Sequence, residues 1–443
     1  MTESKQAGHL LRVLGVGFGI AVTIGGTIGM GILRTPGEVA KQLPTPTLFI
    51  GIWIVGGLYA LLGAISVAEL GAMIPRSGGF YVFAHRALGS YAGFVVGWSD
   101  WMSSSATNAL ISMVVAEYVG VLFPALAAKQ TAVALAIVLF FGLLQWRGVR
   151  WGSFTQNLTT VLKVIAFIAF LLFAFIYRST PSAPATVGAP RGFALIAAIV
   201  LALQGVLYTY DGWYGVIYFG EEIRNPKRDV ARAMLGGVVA VILIYVLVNL
   251  ALLHVMPLSA IAGEPLAVGK AASIIFGSYG DTVIRVIAIV SMLSTINAYT
   301  LSAPRILYAM SCDSLFTHHG RRVNKGGTPT ITLLISTVVA VLFVVSGTFN
   351  QVLAVIAFFF VCYYTVAFIS VFVLRKREPD LPRPYRVWGY PWTTLIVTIG
   401  SIAFLGGAIR ADTRNSLWAL ALLAISYPVY VLTKWINPRR MPH

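Results

Sequence analysis

Long apolar runs separated by short polar joints fill this chain, and the runs are too long for the core of a soluble domain. A helix that crosses a bilayer needs about 20 predominantly apolar residues. Twelve such stretches follow one another, at about 14–36, 47–74, 90–117, 131–146, 156–177, 192–220, 233–254, 281–310, 329–347, 351–374, 391–410 and 416–435. The fourth is the shortest. In hydrocarbon, backbone N–H and C=O groups must pair within the protein, so a spanning segment is a helix or part of a closed barrel. Barrel strands alternate in short segments. These runs are continuously apolar, which predicts an all-α integral membrane protein with twelve transmembrane helices.

Composition strengthens this picture. Hydrophobic residues make up 58% of the 443 positions and charged residues 11%, against roughly a quarter charged in soluble domains. The net charge of +17 raises the question of nucleic acid, but its distribution answers it. Basic residues concentrate in the joints on the side that holds the N-terminus, including Arg375-Lys376-Arg377 and the tail with Lys434, Arg439 and Arg440. That is the positive-inside pattern, and it predicts a multi-pass protein of the cell (inner) membrane with both termini cytoplasmic. Lipid is then the partner of the basic loops, and no nucleic acid is expected. Two cysteines, Cys312 and Cys362, offer no disulfide framework and no external thiol for a covalent accessory subunit. The first span lacks a cleavage site after a short apolar stretch, so it reads as a retained helix.

The joints leave no room for a soluble catalytic domain. The external stretch near 255–280 contains an amphipathic run, Leu266–Phe276, suited to the membrane surface. Another, Ser179–Arg191, has Pro181, Pro184 and Pro190 and reads as an irregular linker. It separates five spans from the next seven. Span 1 holds Gly25-Gly26-Thr27-Ile28-Gly29-Met30-Gly31, and span 6 holds Tyr210-Asp211-Gly212-Trp213-Tyr214-Gly215. Both interruptions fall near mid-run, five spans apart. An odd offset inserts the two halves with opposite orientation. Paired Gly-interrupted spans at matching positions point to an inverted-repeat transporter with its site at the breaks. Close helix packing is the plainer use of glycine in a membrane.

These residues carry a family resemblance. Gly26-Thr27-Ile28-Gly29-Met30-Gly31-Ile32 resembles the first-helix motif of the amino acid–polyamine–organocation superfamily, with Met30 where a small hydroxyl residue is usual. Tyr210-Asp211-Gly212-Trp213, followed by Glu221-Glu222-Ile223-Arg224-Asn225-Pro226-Lys227-Arg228, resembles its sixth-helix motif and the next loop. Pro75-Arg76-Ser77-Gly78-Gly79-Phe80-Tyr81 resembles the loop after span 2. The likeness is closest to bacterial relatives of the L-type amino-acid transporters. It implies a five-plus-five inverted repeat with discontinuous helices 1 and 6, two extra helices, and alternating access. The units would be 1–178, 179–378 and 379–443.

A free amino acid brings an ammonium and a carboxylate into a dry site, and broken helices can match both without formal charge. N–H groups at the start of the second half of span 1 can hold the carboxylate. Carbonyls ending the first half, with those of span 6, can accept from the ammonium. The expected binding residues are Thr27, Gly29, Met30, Gly31, Thr209, Tyr210 and Gly212. The resemblance implies that Tyr208 closes over substrate from outside; ordinary packing is the alternative. Trp213 either lines the inner pathway or packs. Asp211 either shapes the pocket, carries a proton, or caps the second half of span 6.

Lys163 lies deep in span 5, where an unpaired ammonium costs several kcal/mol, or about 2.5–3.5 on insertion scales. The resemblance implies that it stands in for the sodium of relatives, near Gly25 and near Ser294 or Thr295 of span 8. It can also take up a proton, or snorkel toward the cytoplasmic end. Asp100 in span 3 faces either the pathway or a neighbouring helix. Glu69, Glu221 and Glu222 sit near Arg76, Arg86, Arg224 and Arg228, as an inner-gate network or as a solvated face. His85, His254, His318 and His319 are scattered, no metal-ligand spacing appears, and no cofactor is expected. There is no phosphate-cradling loop for ATP. An integral-membrane enzyme would need a catalytic pair or metal cluster, and none is visible. A channel or receptor fits broken helices around a closed site less well. The expected function is sodium-independent secondary transport of amino acids, as exchange of neutral L-amino acids or as proton-coupled symport.

Overall fold

A computed structural model of the chain describes residues 9–177, 191–346, 349–411 and 413–436. The helices run in the order α1 (Val16–Thr27), α2 (Gly31–Gln42), α3 (Pro46–Met73), α4 (Phe80–Leu88), α5 (Ser90–Leu122), α6 (Gln130–Trp146), α7 (Val149–Ile176) and α8 (Phe193–Thr209). Then come α9 (Pro226–Val255), α10 (Leu258–Ile261), α11 (Ala267–Phe276), α12 (Gly280–Cys312), α13 (Thr330–Ser346), α14 (Phe349–Arg377), α15 (Trp392–Ala411) and α16 (Thr413–Ile436). Among the described residues, extended pairing is confined to isolated bridges.

Seven helices are long and apolar enough to cross a membrane on their own. α1 and α2 form one further candidate span, bent by 46° at the break between them. Shorter apolar helices at Phe193–Thr209, Thr330–Ser346, Trp392–Gly407 and Ala419–Trp435 account for the remaining runs. Outward-facing Leu, Ile, Val and Phe on α6 and α7, such as Leu143, Phe154 and Ile165, are exposed. In a bilayer, lipid satisfies such a surface.

The polar content lies inside. α12 packs along α5, α3 along α9, and α1 lies against α7, α9 and α12. α1, which leads into the break in span 1, is therefore wrapped by α7, α9 and α12, while α2 beyond the break packs on α8, α10 and α11. α11 seats on α2, α9 and α12, so the amphipathic run found in sequence covers protein as well as any surface. The linker Ser179–Arg191 and the tail beyond Ile436 fall, apart from Arg191, outside the described residues.

Span 6 departs from the expected two half-helices. α8 stops at Thr209, turns occupy 210–214, and a 3-10 turn covers Gly215–Tyr218. No α-helix resumes before Pro226. Besides its own turn bonds, the backbone of this stretch pairs with other segments. Gly78 N–H donates to Tyr218 O (3.3 Å), Leu14 N–H to Glu222 O (2.9 Å), and Arg224 N–H to Leu14 O (2.9 Å). These cross-segment bonds, together with turn bonds such as Ile217 N–H to Tyr214 O (3.0 Å), satisfy the backbone without an α-helix.

The acidic residues near this end also have other partners than the sequence suggested. Glu222 is fully buried and pairs with Arg305 of α12, whose Nη2 donates to Oε1 at 2.7 Å. The Arg305 guanidinium lies over the Phe219 ring, 4.6 Å from its centroid. Glu69 is buried and accepts from Arg375 Nε (2.9 Å) and Val387 N–H (2.8 Å). Arg76 binds Asp313, and Arg86 binds Glu378.

Candidate functional site

The break in span 1 follows from residues 28–30. Ile28 N–H still bonds Ile24 O, but Gly29 N–H turns to Thr27 O at 2.9 Å. α2 then starts at Gly31 with no side chain capping it. The first N–H groups of a helix lack intrahelical partners, and its N-terminus carries partial positive charge. The opposite condition holds at the ends of α1 and α8, where carbonyls of Thr27 and Thr209 emerge. Gly31 approaches Thr209 so closely that a Cβ there would lie 2.9 Å from its side chain. Gly212, at φ +103°, leaves no room for a Cβ against the backbone of Gly26. The two breaks touch.

A cavity opens at this junction. It is lined by Gly26, Thr27, Gly29, Met30 and Gly31 from span 1 and by Tyr208, Thr209 and Asp211 from span 6. Thr107 and Ile111 of α5, Thr295 and Tyr299 of α12, and Phe360 of α14 complete the wall. Of the residues expected to bind substrate, Tyr210 and Gly212 do not line it. Tyr210 points its hydroxyl to Trp53 O (3.1 Å) and borders an adjoining aromatic cavity with Tyr59, Trp213 and Tyr364. Tyr208 borders both cavities and remains partly exposed.

Lys163 is buried and does not snorkel. Its Nζ donates to Gly25 O at 3.0 Å and also to Ile28 O. Thr295 Oγ1 donates to Gly25 O (2.9 Å) and Ser291 Oγ to Ile28 O (2.8 Å). Lys163, Thr295 and Ser291 thus gather around the carbonyls at the break. Ser294 also lies beside Gly25, where a Cβ would come 2.8 Å from its Oγ, but it hydrogen-bonds Thr160 and Gln156, both at 3.2 Å. Gln156 Nε2 and Thr160 Oγ1 in turn donate to Ala21 O, at 3.2 and 2.9 Å. Residues 156, 160 and 163 follow the i, i+4, i+7 spacing of one helix face, so α7 grips α1 along two turns.

Asp211 caps no helix, since none begins after it. Its Oδ2 accepts from Tyr299 (3.3 Å) and Tyr214 (3.4 Å), while its buried Oδ1 has no protein partner. Asp100 is buried away from the cavity and accepts from the Tyr218 hydroxyl at 2.9 and 3.0 Å. Between the cavity and the end of the fold that holds Leu14, rings close the passage. Phe80 stacks on Tyr363 (5.0 Å between centroids) and leans on Tyr214 (4.8 Å). Tyr214 and Tyr363 share a hydrogen bond of 2.9 Å.

Several site residues lay beyond the reach of sequence reasoning. Thr107, Ser291, Tyr299 and Phe360 sit in apolar spans with no local feature to mark them. Tyr245 of α9 is the most consequential. Its hydroxyl lies 3.0 Å from both Thr27 O and Thr209 O. No group of three or more His, Cys, Asp or Glu that could hold a metal occurs among the described residues.

Comparison with known proteins shows the family of the chain. The amino acid permease family model matches residues 19–427. A serine/threonine exchanger, SteT, of Bacillus subtilis is 29% identical over 427 residues, covering 95% of this chain and 96% of that one. The human b(0,+)-type amino acid transporter 1 is 26% identical over 399 residues, covering 87% of this chain and 80% of its own length. The mouse large neutral amino acids transporter small subunit 2 is 26% identical over 449 residues, covering 96% and 81%. These relatives are transporters and not enzymes. The chain belongs to the amino acid permease family, within the amino acid–polyamine–organocation superfamily.

Proposed function

We propose that this protein is a sodium-independent exchanger of neutral L-amino acids that works by alternating access, with its termini on the cytoplasmic side. The observation that carries the proposal is the convergence of three helix ends on one cavity. The uncapped start of α2 supplies N–H groups for a carboxylate. The ends of α1 and α8 supply carbonyls for an ammonium. Lys163 places a cation on the Gly25 and Ile28 carbonyls, the position a metal cation would otherwise occupy, which removes the need for sodium.

The two sides of the cavity differ, as alternating access requires. Aromatic rings and the Glu222–Arg305 pair close the terminal side, while Tyr208 on the opposite side is partly exposed. The substrate side chain meets Asp211 and Thr107, whose Oδ1 and Oγ1 are both buried without a protein partner. A substrate hydroxyl can donate to one and accept from the other, which favours small hydroxyl amino acids. The name of the Bacillus subtilis relative points the same way.

Proton-coupled symport is the second reading, favoured by the burial of both Lys163 and Asp211. Proteoliposomes separate the two. Exchange predicts uptake of labelled L-serine only when amino acid is present inside. Uptake into empty vesicles that follows an imposed pH gradient would overturn exchange in favour of symport.

A further inference from the structure

Asp100 is a buried carboxylate that does not line the substrate cavity. Among the described residues, no Lys, Arg or His pairs with it. Its partners are the Tyr218 hydroxyl, at 2.9 and 3.0 Å, and the Ser104 side chain one turn further along α5. Burying a charge is costly, and neutral hydrogen-bond donors offset only part of that cost.

Tyr218 belongs to the segment that shuts the cavity on the side of Leu14. Its ring stands edge-on to Tyr214, 5.9 Å between centroids, and Tyr214 is one of the closing rings. Side-chain bonds tie this segment to three helices: Tyr214 to Tyr363 of α14, Tyr218 to Asp100 of α5, and Glu222 to Arg305 of α12. They differ in kind. Glu222 and Arg305 cancel each other's charge, and the two tyrosines carry none. Asp100 and Tyr218 leave a net negative charge in a dry place. That contact is the one that water relieves.

A passage that opens toward Leu14 has to move this segment, and water then reaches α5. The closed form gains the bond to Tyr218, and the open form gains hydration of Asp100. The two gains oppose each other. A small difference between states is what a gate that opens in every cycle needs.

We propose that Asp100 is a positioning residue of the inner gate: through Tyr218 it holds the segment after span 6 shut, and the cost of its own burial keeps that closure reversible. This inference rests on the alternating-access reading. It assigns Asp100 no contact with substrate.

The test follows a reporter thiol made by Ser302→Cys in the full chain, with Cys312→Ser and Cys362→Ser. Ser302 is three residues from Tyr299, which lines the cavity, and three from Arg305, which holds Glu222. That spacing puts it on the same face of α12. It is buried, and its hydroxyl bonds Ala298 O within its own helix. Inside-out vesicles are treated with a membrane-impermeant maleimide. Asp100→Asn keeps the size and an acceptor for Tyr218 but removes the charge, so the closed form gains and labelling should slow about tenfold. Tyr218→Phe keeps the ring and strands the carboxylate, so labelling should speed up about tenfold. Opposite directions are the signature, because a merely structural contact would loosen in both variants. A change in the same direction in both, or an unchanged rate in either, would overturn the role. If the reporter thiol is never labelled while exchange proceeds with Asp100 and Tyr218 intact, alternating access through this passage fails instead, and Asp100 loses its assignment with it.

Discussion

Gly212 lies against the backbone of Gly26, so near that a Cβ at 212 would sit 2.7 Å from the carbonyl carbon and oxygen of Gly26. Two interruptions in distant parts of the chain thus make direct backbone contact, and glycine is what permits it. At φ +103° an L side chain is also disfavoured. Gly212→Ala should reduce transport at least tenfold while the protein still inserts and extracts normally. Uptake close to wild type in that variant would show that the breaks need not touch.

Lys163 offers a second prediction. Its ammonium meets the Gly25 and Ile28 carbonyls where Thr295 and Ser291 also converge. Lys163→Ala removes the cation but leaves those hydroxyls. Transport should fall at least tenfold, and wild-type uptake should be equal in sodium and choline buffers. Sodium-dependent uptake by the wild type would discard the assigned role.

Thr107 and Asp211 govern side-chain selection in this reading. Thr107→Val removes a hydroxyl without changing volume much. A single hydrogen bond contributes about 1 kcal/mol net, or roughly fivefold. The apparent KM for serine should rise by about that factor, with alanine unaffected. Competition assays with the two amino acids measure it directly. Parallel loss for serine and alanine would place Thr107 outside the side-chain pocket.

The buried pair of Glu222 and Arg305 holds the segment after span 6 to α12. Removing one partner of a buried pair costs about 3–5 kcal/mol, because the other charge stays behind. Glu222→Ala should therefore lower the melting temperature clearly. Glu222→Leu combined with Arg305→Met should recover much of that stability, since apolar replacement of a buried pair is often neutral. If the double variant is no more stable than the single one, the loss comes from packing and not from the stranded charge.

Much of the fold was legible from the sequence because hydrocarbon imposes simple demands. Apolar length marked the helices, Gly25–Gly31 marked the break between α1 and α2, and Lys163 stood out because charge is rare at such depth. The motif around Gly212 marked the end of α8, yet it suggested a second half-helix where the structure has turns. Turn bonds, with partners at Gly78 and Leu14 for Tyr218, Glu222 and Arg224, satisfy that backbone without one. Glu69 likewise found Arg375, far along the chain, where nearby arginines had been expected.

By itself, then, the sequence determined that this is a helical membrane protein with an interrupted first span and a buried lysine, because local composition decides what a bilayer accepts. Tertiary structure alone decided which groups meet at the interruption. Tyr245 is 36 residues from Thr209 and 218 from Thr27, and an ordinary tyrosine in an apolar run gives no local sign of such contacts. A hydrogen bond acts over about 3 Å, so its partners are chosen only when α1, α8 and α9 pack.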